Sequence, residues 1–399
     1  LGNAERVSMT QSPERIAFFD VLRGVALFGI LVVNVFSFGA DAAVWTDAAD
    51  RVAWTLKHIV FESKFWALYS VLFGIGFYLQ RMSPTYTLAR AVRRLSVLMA
   101  LGCLHALLFE GDILMLYAEL GVLLLCLNGL PNRWLLGVCV ALSLSFPLGH
   151  LLGDDRGDER PPENSEEAIE WLEDDLAHSP LSIGGFSDVV TYHSGNIPER
   201  FWADWQYPDS GLLVLTFFLL GVYFMRVGWP RLQMLSFQSG YRLAASFWLA
   251  GLFLMGVERY LALSVGYDAF GKSDASALWV LLGDLVYLCA TFLLTGAWFV
   301  SVWCWTQGNW ATALRARVAS AGRVSLSAYL SQTLIFTTVF YDYGFGKAFE
   351  WGPFAVCCFA VVVYFAQLMI CHWWCERFRL GPMEWLWRSL TYLRWMSIR

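Results

Sequence analysis

Charge is what this chain has least of. Asp, Glu, Lys and Arg supply 15% of its 399 residues, against roughly 25% in a typical soluble domain. A soluble fold of this size needs more polar surface than that. Much of the 57% that is hydrophobic must therefore face lipid. A net charge of −5 excludes a globally basic nucleic-acid binder, so no nucleic acid is expected as a partner. Ten-residue stretches of alternating polarity are missing, which excludes a membrane β-barrel and leaves helices. The acidic stretch between Gly153 and Pro208 contains no cysteine, and the nine Cys lie mostly in apolar runs. That argues against an extracellular disulfide framework. Cys371, His372 and Cys375 have metal-like chemistry, but Trp373 and Trp374 separate them and no matching pair exists elsewhere, so no metal site is expected. No small-residue cleavage site follows the first apolar stretch, Val21 to Phe38, which reads as a permanent helix.

What is present is long apolar runs. A bilayer core of ~30 Å needs about 20 apolar residues in a helix. Such stretches lie near 17–39, 53–80, 91–109, 113–129, 134–152, 210–227, 241–265, 277–305, 324–341 and 352–376. The fold class is therefore all-α, a polytopic membrane helix bundle of about ten transmembrane helices. Twenty Trp and sixteen Tyr suit a protein with two membrane–water interfaces.

Orientation follows from Lys and Arg. With the N-terminus inside, the internal segments hold Arg6, Arg15, Arg81, Arg90, Arg93, Arg94, Arg133, Arg226, Arg231, Arg242, Arg315, Arg317 and Arg323, and the tail holds Arg377, Arg379, Arg388, Arg394 and Arg399. External segments hold Asp41, Asp47, Asp50, Glu110, Asp112 and the acidic stretch from Asp154 to Asp209. This alternation requires an even number of spans, and both termini are expected in the cytoplasm. Four regions result. Residues 1–152 carry the first five helices and the main polar motifs. Residues 153–208 form an acidic external loop, with a short helix expected over 165–177 behind Ser165 as N-cap; it is a lid, a substrate platform or a solvated connector. Residues 209–377 carry the last five helices. Residues 378–399 form a cytoplasmic tail whose Trp385, Leu386, Trp387, Leu390, Leu393 and Trp395 suit an interfacial anchor.

Ionisable groups inside transmembrane segments are costly and mark candidate sites. Asp20 and Arg23 share a helix face. Asn34, eleven residues past Arg23, points the same way roughly 16 Å along the axis. Gly24 and Gly29 would let a neighbouring helix approach. Glu62 and Lys64, two apart, face apart and are expected to pair with different helices. His105 lies near the outer end of the third helix, where it can serve as a general base. Asp112, across a short hairpin, is close enough to orient it, with Glu119 on the same face. Ser325, Tyr329 and Gln332 form one polar face, and Asp284 with Tyr287 another. The outer half thus collects His105, Asp112, Glu62, Lys64 and Asn34. The inner surface collects Arg23, Arg90, Arg93, Arg94 and Arg323, which would hold phosphates of a cytosolic ligand or simply obey the charge rule.

The run from Phe19 through Asp20, Arg23, Gly24 and Gly29 to Asn34 resembles the opening of the YeiB-like bacterial membrane proteins. So do Lys64-Phe65, Leu72-Phe73-Gly74-Ile75-Gly76-Phe77, Gly102, His105, Gly111-Asp112-Ile113-Leu114 and Tyr117. Gly322-Arg323, Ser325-Leu326-Ser327, Tyr329, Ser331-Gln332 and the tail run from Gly381 to Arg388 complete the likeness. Ala328 stands where that family's late motif has Asn. The resemblance implies a bacterial cytoplasmic (inner) membrane location. More distantly the family is similar to a transmembrane acyltransferase superfamily that includes heparan-alpha-glucosaminide N-acetyltransferase. That implies transfer of an acyl group from a cytosolic acyl-CoA or acetyl-CoA donor, with no permanently bound cofactor, to an unknown acceptor on the outer side. The relatives' histidine in the loop after the first helix has no counterpart between Gly39 and Arg51. His105 takes its place as the expected base, with Asp112 orienting it and Lys64 or Asn34 facing the oxyanion. Asp20, Arg23, Asn34, Tyr117, Arg323, Tyr329 and Gln332 are expected to bind substrate. The alternatives are a transporter of a small amphiphile or ion and a non-enzymatic membrane scaffold. Membrane lipid is the expected surrounding partner, and a homo-oligomer stays open.

Overall fold

The computed structural model describes residues 13–38, 47–152, 184–206, 208–266, 275–348 and 350–399, and every regular element among them is helical. The short helix expected over 165–177 lies outside the described residues. The elements are α1 (Pro13–Phe36), α2 (Ala48–Leu56), α3 (Lys64–Arg81), α4 (Leu88–Ala106), α5 (Leu114–Leu127), α6 (Asn132–Ser143), α7 (Ser145–Leu152) and α8 (Phe186–Gln206). They continue with α9 (Pro208–Tyr223), α10 (Trp229–Gln233), α11 (Phe237–Val265), α12 (Ala277–Gln307), α13 (Thr312–Arg323), α14 (Ser325–Phe340), α15 (Pro353–Cys375) and α16 (Pro382–Tyr392).

Local chemistry sets several ends. The Thr87 hydroxyl accepts the Arg90 N–H at 3.2 Å and caps α4; Ser236 does the same for Ser239 at α11, each filling one orphan donor of a helix start. Pro353 and Pro382 sit in the first turns of α15 and α16, where a missing N–H costs nothing. Gly266, with φ of 69°, ends α11 in the left-handed conformation that glycine tolerates.

Seven helices are long and apolar enough to cross a membrane: Ala17–Phe36, Ala48–Arg81, Asn132–Gly149, Gly211–Gln233, Phe237–Val265, Ala277–Gln307 and Pro353–Cys375. The other three expected spans are also helices. α4 has 19 residues but carries Arg90, Arg93 and Arg94, α5 has 14 residues and α14 has 16.

The second expected span is not continuous. After α2 the chain makes a π-helical turn, Lys57–Phe61, then leaves helical geometry at Glu62 (ψ 136°) and Ser63 (φ 63°) before α3 begins. The break has no Gly or Pro to announce it, and a left-handed serine costs about 1–2 kcal/mol.

α1 runs through the core. Leu22, Ala26, Leu27, Leu31 and Val35 are fully buried, and their spacing of four, one, four and four keeps them on one broad stripe. Small residues bring the backbones together. A Cβ on Gly24 would fall on the Val318 carbonyl of α13, and one on Gly322 would fall on the Asp20 carbonyl of α1. Gly74 and Gly221 do the same for α3 and α9. With no hydrophobic drive between helices in lipid, such close van der Waals contact is a main source of association. α11 packs along α12, and its far side exposes Leu249, Phe253, Tyr260 and Leu263, as a lipid-facing surface would.

Candidate functional site

Two cavities lie along α1. The first, about 160 Å³, is walled by Arg23, Ile30, Tyr69, Arg94, Tyr117, Ser325, Tyr329 and Trp387 among others. The second, about 220 Å³, is walled by Ile30, Asn34, Phe61, Ser63, Phe65, Trp66, Asp112, Ile113, Arg200 and Tyr329. Ile30, Ile113 and Tyr329 belong to both, so one begins where the other ends. Arg23 and Asn34, on one face of α1, open on different cavities.

The first cavity has a basic end. Arg23 donates to the Asp20 carboxylate at 2.9 Å, and Asp20 also lies in the fields of Arg323 and Arg388. Arg94 feels Arg23 and Arg388, and its guanidinium stacks 4.4 Å from the Trp387 ring. The carboxylates of Asp20 and Glu384 are thus outnumbered by the guanidinium groups of Arg23, Arg94, Arg323 and Arg388, an arrangement suited to an anion. Arg323 is exposed beside this end rather than on the wall. The tail does more than anchor. Trp387 closes part of the wall and donates to the Arg94 carbonyl at 3.0 Å, and Arg93 donates to the Thr391 carbonyl at 3.0 Å. Buried Glu384 accepts the Leu326 and Ser327 N–H groups at 2.7 and 3.2 Å, capping α14 from another element.

The second cavity meets the expected dyad. His105 Nδ1 and Asp112 Oδ1 are 2.6 Å apart, and both side chains are buried. Asp112 Oδ2 accepts the Met115 N–H at 2.9 Å, which fixes the carboxylate at the start of α5. His105 Nε2 meets the Thr333 hydroxyl at 2.7 Å, and its ring lies 5.0 Å from that of Tyr329. Asp112 reaches the cavity wall, whereas His105 is one layer behind it. Arg200, from α8, donates to the Glu110 and Asp112 carbonyls and completes the wall.

Glu62 and Lys64 do not join this dyad. They belong to a second polar cluster behind the break. The π turn puts Lys57 and His58 on the same side, so Glu62 pairs with Lys57 and, at 2.8 Å, with His58. This corrects the expectation that Glu62 pairs with a different helix. His58 also meets buried Glu258 of α11 at 3.4 Å. Lys64 is fully buried; its ammonium donates to the His58 carbonyl at 3.0 Å and lies 5.1 Å from the Tyr287 ring. It therefore points away from the cavity that Ser63 and Phe65 line, and cannot face an oxyanion there. Gln332 is likewise turned aside: its amide donates to Gln367 of α15 at 2.9 Å. Tyr117 lines the first cavity, with its hydroxyl 2.7 Å from Ser70 and 3.1 Å from the Trp66 carbonyl. His372 meets Ser320 at 3.2 Å.

Reasoning from the sequence missed Thr333, Arg200, His58 and Arg388. Thr333 is four residues past Tyr329 and so on its face, a signal that was there to read. His58 stands at i, i+4 from Glu62, but the Lys57–Glu62 contact at i, i+5 needs the π turn. Arg200 is one of three arginines in the acidic stretch, and its partners, two backbone carbonyls, leave no mark in the sequence.

The fold and these cavities define a helical membrane protein with polar groups gathered inside the bundle. Residues 229–394 match a family described as "Protein of unknown function (DUF418)". The chain is 28% identical to "Uncharacterized protein YxaH" of Bacillus subtilis (strain 168), over 98% of this chain and 97% of that protein. It is 29% identical to "Uncharacterized protein YeiB" of Escherichia coli (strain K12), over 95% and 96%. The chain is thus similar to YeiB and YxaH along nearly its whole length, as the motifs from Phe19 to Arg388 lead one to expect.

Proposed function

We propose that this protein is an inner-membrane acyltransferase that takes an acyl group from a cytosolic acyl-CoA and passes it to an acceptor on the outer side. The observation that carries the reading is the pair of adjoining cavities, joined at Ile30, Ile113 and Tyr329, with arginines at one end and Asp112 at the other. Arg23 and Arg94 hold phosphates of the donor, with Arg323 and Arg388 adding positive field at the mouth. The acyl chain enters the mostly apolar wall between them. The acceptor hydroxyl or amine lies against Asp112 and Asn34.

In the transfer the acceptor oxygen or nitrogen bonds to the thioester carbonyl carbon, and its proton passes to the Asp112–His105 pair. The C–S bond then breaks, and the thiolate takes that proton and leaves as the free thiol. His105 polarises Asp112 from behind and spreads the charge. Placed so, His105 is a positioning residue, and Asp112 is the group that touches the acceptor.

Binding of radiolabelled acetyl-CoA and longer acyl-CoAs to purified protein tests the reading. Saturable binding, weakened about tenfold or more in Arg23→Ala by loss of a charge-assisted contact and retained in Asp112→Asn, is the expected result. Absence of binding by any acyl-CoA would sink it. A second reading, transport of a small amphiphile or ion, draws on the broken span at Glu62–Ser63 and the charges behind it, since interrupted helices commonly line transport sites. Uptake into proteoliposomes with no covalent change in the solute would favour it.

A further inference from the structure

The break at Glu62–Ser63 leaves the start of α3 uncapped. The Ser63 hydroxyl, which a helix start would ordinarily use as its cap, is instead 2.6 Å from the Tyr287 hydroxyl, and it makes no capping bond. The Lys64 N–H turns back to the Glu62 carbonyl at 2.8 Å, and the Ala67 N–H reaches the Ser63 carbonyl at 3.1 Å. The Phe65 and Trp66 N–H groups between them have no acceptor among the described residues. Phe65 and Trp66 both wall the second cavity, with Asp112 on the same wall. An 18-residue helix thus presents its positive end and two spare donors where a reacting group would sit.

An independent observation points to the same place. Tyr329 is 6% exposed and lies where the two cavities join. Its hydroxyl runs beside the Ile113 backbone without a hydrogen bond of ordinary geometry. A buried hydroxyl left so is costly unless a ligand satisfies it.

We propose that the Phe65 and Trp66 N–H groups and the Tyr329 hydroxyl together form the oxyanion site, receiving the acyl carbonyl oxygen at the junction of the cavities. The inference rests on the acyl-transfer reading and adds to it the groups that stabilise the tetrahedral intermediate. When the acceptor bonds to the carbonyl carbon, the C=O pair moves onto this oxygen. It returns as the C–S bond breaks. Donors fixed in advance and out of water stabilise that charge more than flexible ones do.

The test compares two donor analogues on the full-length protein. Trifluoroacetonyl-CoA has an electrophilic ketone that forms a tetrahedral centre, and S-propyl-CoA has no carbonyl. The wild type is expected to bind the ketone at least about tenfold more tightly, in the range by which one oxyanion donor acts. Tyr329→Phe should remove most of that preference and leave S-propyl-CoA affinity unchanged. Ser63→Gly, which keeps the backbone turn and both N–H groups, should retain it. Equal binding of the two analogues by the wild type would overturn the oxyanion assignment while leaving the acyl-CoA reading intact. Failure of both analogues to bind would remove both readings. If Tyr329→Phe does not fold, the infrared stretch of a ¹³C-carbonyl acyl-CoA bound to Asp112→Asn decides. A shift to lower frequency than in water supports the site, and no shift overturns it.

Discussion

His105 has two ring nitrogens and both are used, one by Asp112 at 2.6 Å and one by Thr333 at 2.7 Å. Three elements, α4, the start of α5 and α14, are tied at this one ring. Removing the imidazole leaves a buried carboxylate without its partner, which costs roughly 3–5 kcal/mol. His105→Ala is therefore expected to lower the melting temperature in detergent by several degrees, whereas Thr333→Val, which removes one neutral bond, costs about 1 kcal/mol. Equal melting of both variants would contradict this ordering. A second residue-scale prediction concerns His193 of α8, outside the spanning helices. Its ring is buried, and burial holds its imidazole below the ordinary 6.5, against the pull of Glu110 and with the push of Arg200. The unfolded chain therefore takes up a proton on this side chain at higher pH than the folded one. The neutral ring favours the docked helix above pH ~6.5, and the preference is lost as the pH falls below that value. Protection of the α8 amides, relative to the intrinsic exchange rate at each pH, should fall between pH 7.5 and 5.5, and His193→Phe should flatten the fall; unchanged protection across that range would refute it.

Helix contacts in this bundle depend on what is absent at Gly24 and Gly322. With a Cβ on Gly322 falling on the Asp20 carbonyl, Gly322→Ala must push α13 from α1. Overpacking of this kind costs about 1–3 kcal/mol. Because Asp20 and Arg23 sit at that crossing, the variant should weaken acyl-CoA binding as well as melt earlier, and calorimetry with a binding assay reads both. Gly256 of α11, where a Cβ would meet open space away from both cavities, is the control that should tolerate alanine better. Glu384 works at the same scale: Glu384→Ala removes the acceptor for two N–H groups of α14, at about 0.5–2 kcal/mol, and Glu384→Gln should recover part of the loss. The sequence showed the glycines, the polar face of α1 and the His105–Asp112 hairpin, because helical periodicity and short loops are local properties. It did not show the break at Ser63, since no glycine or proline marks it and Tyr287, which holds the Ser63 hydroxyl, is 224 residues away. It showed the tail as amphipathic but not Glu384 as a cap, for the same reason of distance. In the sequence Lys64 and Glu62 group with His105 because all three stand in the same half of the membrane. The π turn instead gives Glu62 the side chains of Lys57 and His58, and Lys64 the His58 carbonyl.

At the scale of the whole molecule, the number of crossings follows from who touches whom. Arg94, near the start of α4, bonds the Trp387 ring with its own carbonyl and shares a cavity with Arg23, in the first half of α1. The start of α1, the start of α4 and the tail are therefore expected on one side, and a bundle whose first and last helices open on the same side has an even number of crossings. Seven helices qualify by length and composition alone, an odd number, so an even count requires at least one of α4, α5 and α14 as well. α4 and α5 form a hairpin whose turn, Phe109 to Asp112, meets Arg200 of α8, far along α4 from Arg94. Counting all three would give the ten crossings expected from the sequence. Single cysteines decide it, placed at Ser83, Ser194 or Ser397 in a chain whose exposed Cys126, Cys289 and Cys358 are replaced. An impermeant maleimide added to intact spheroplasts should label Ser194→Cys at once and the other two only after permeabilisation. Labelling of Ser83→Cys and Ser397→Cys from opposite sides would divide the arginines of the first cavity between two compartments. A cytosolic donor could then not reach them together, and the acyl-transfer reading would lose its binding end along with the topology.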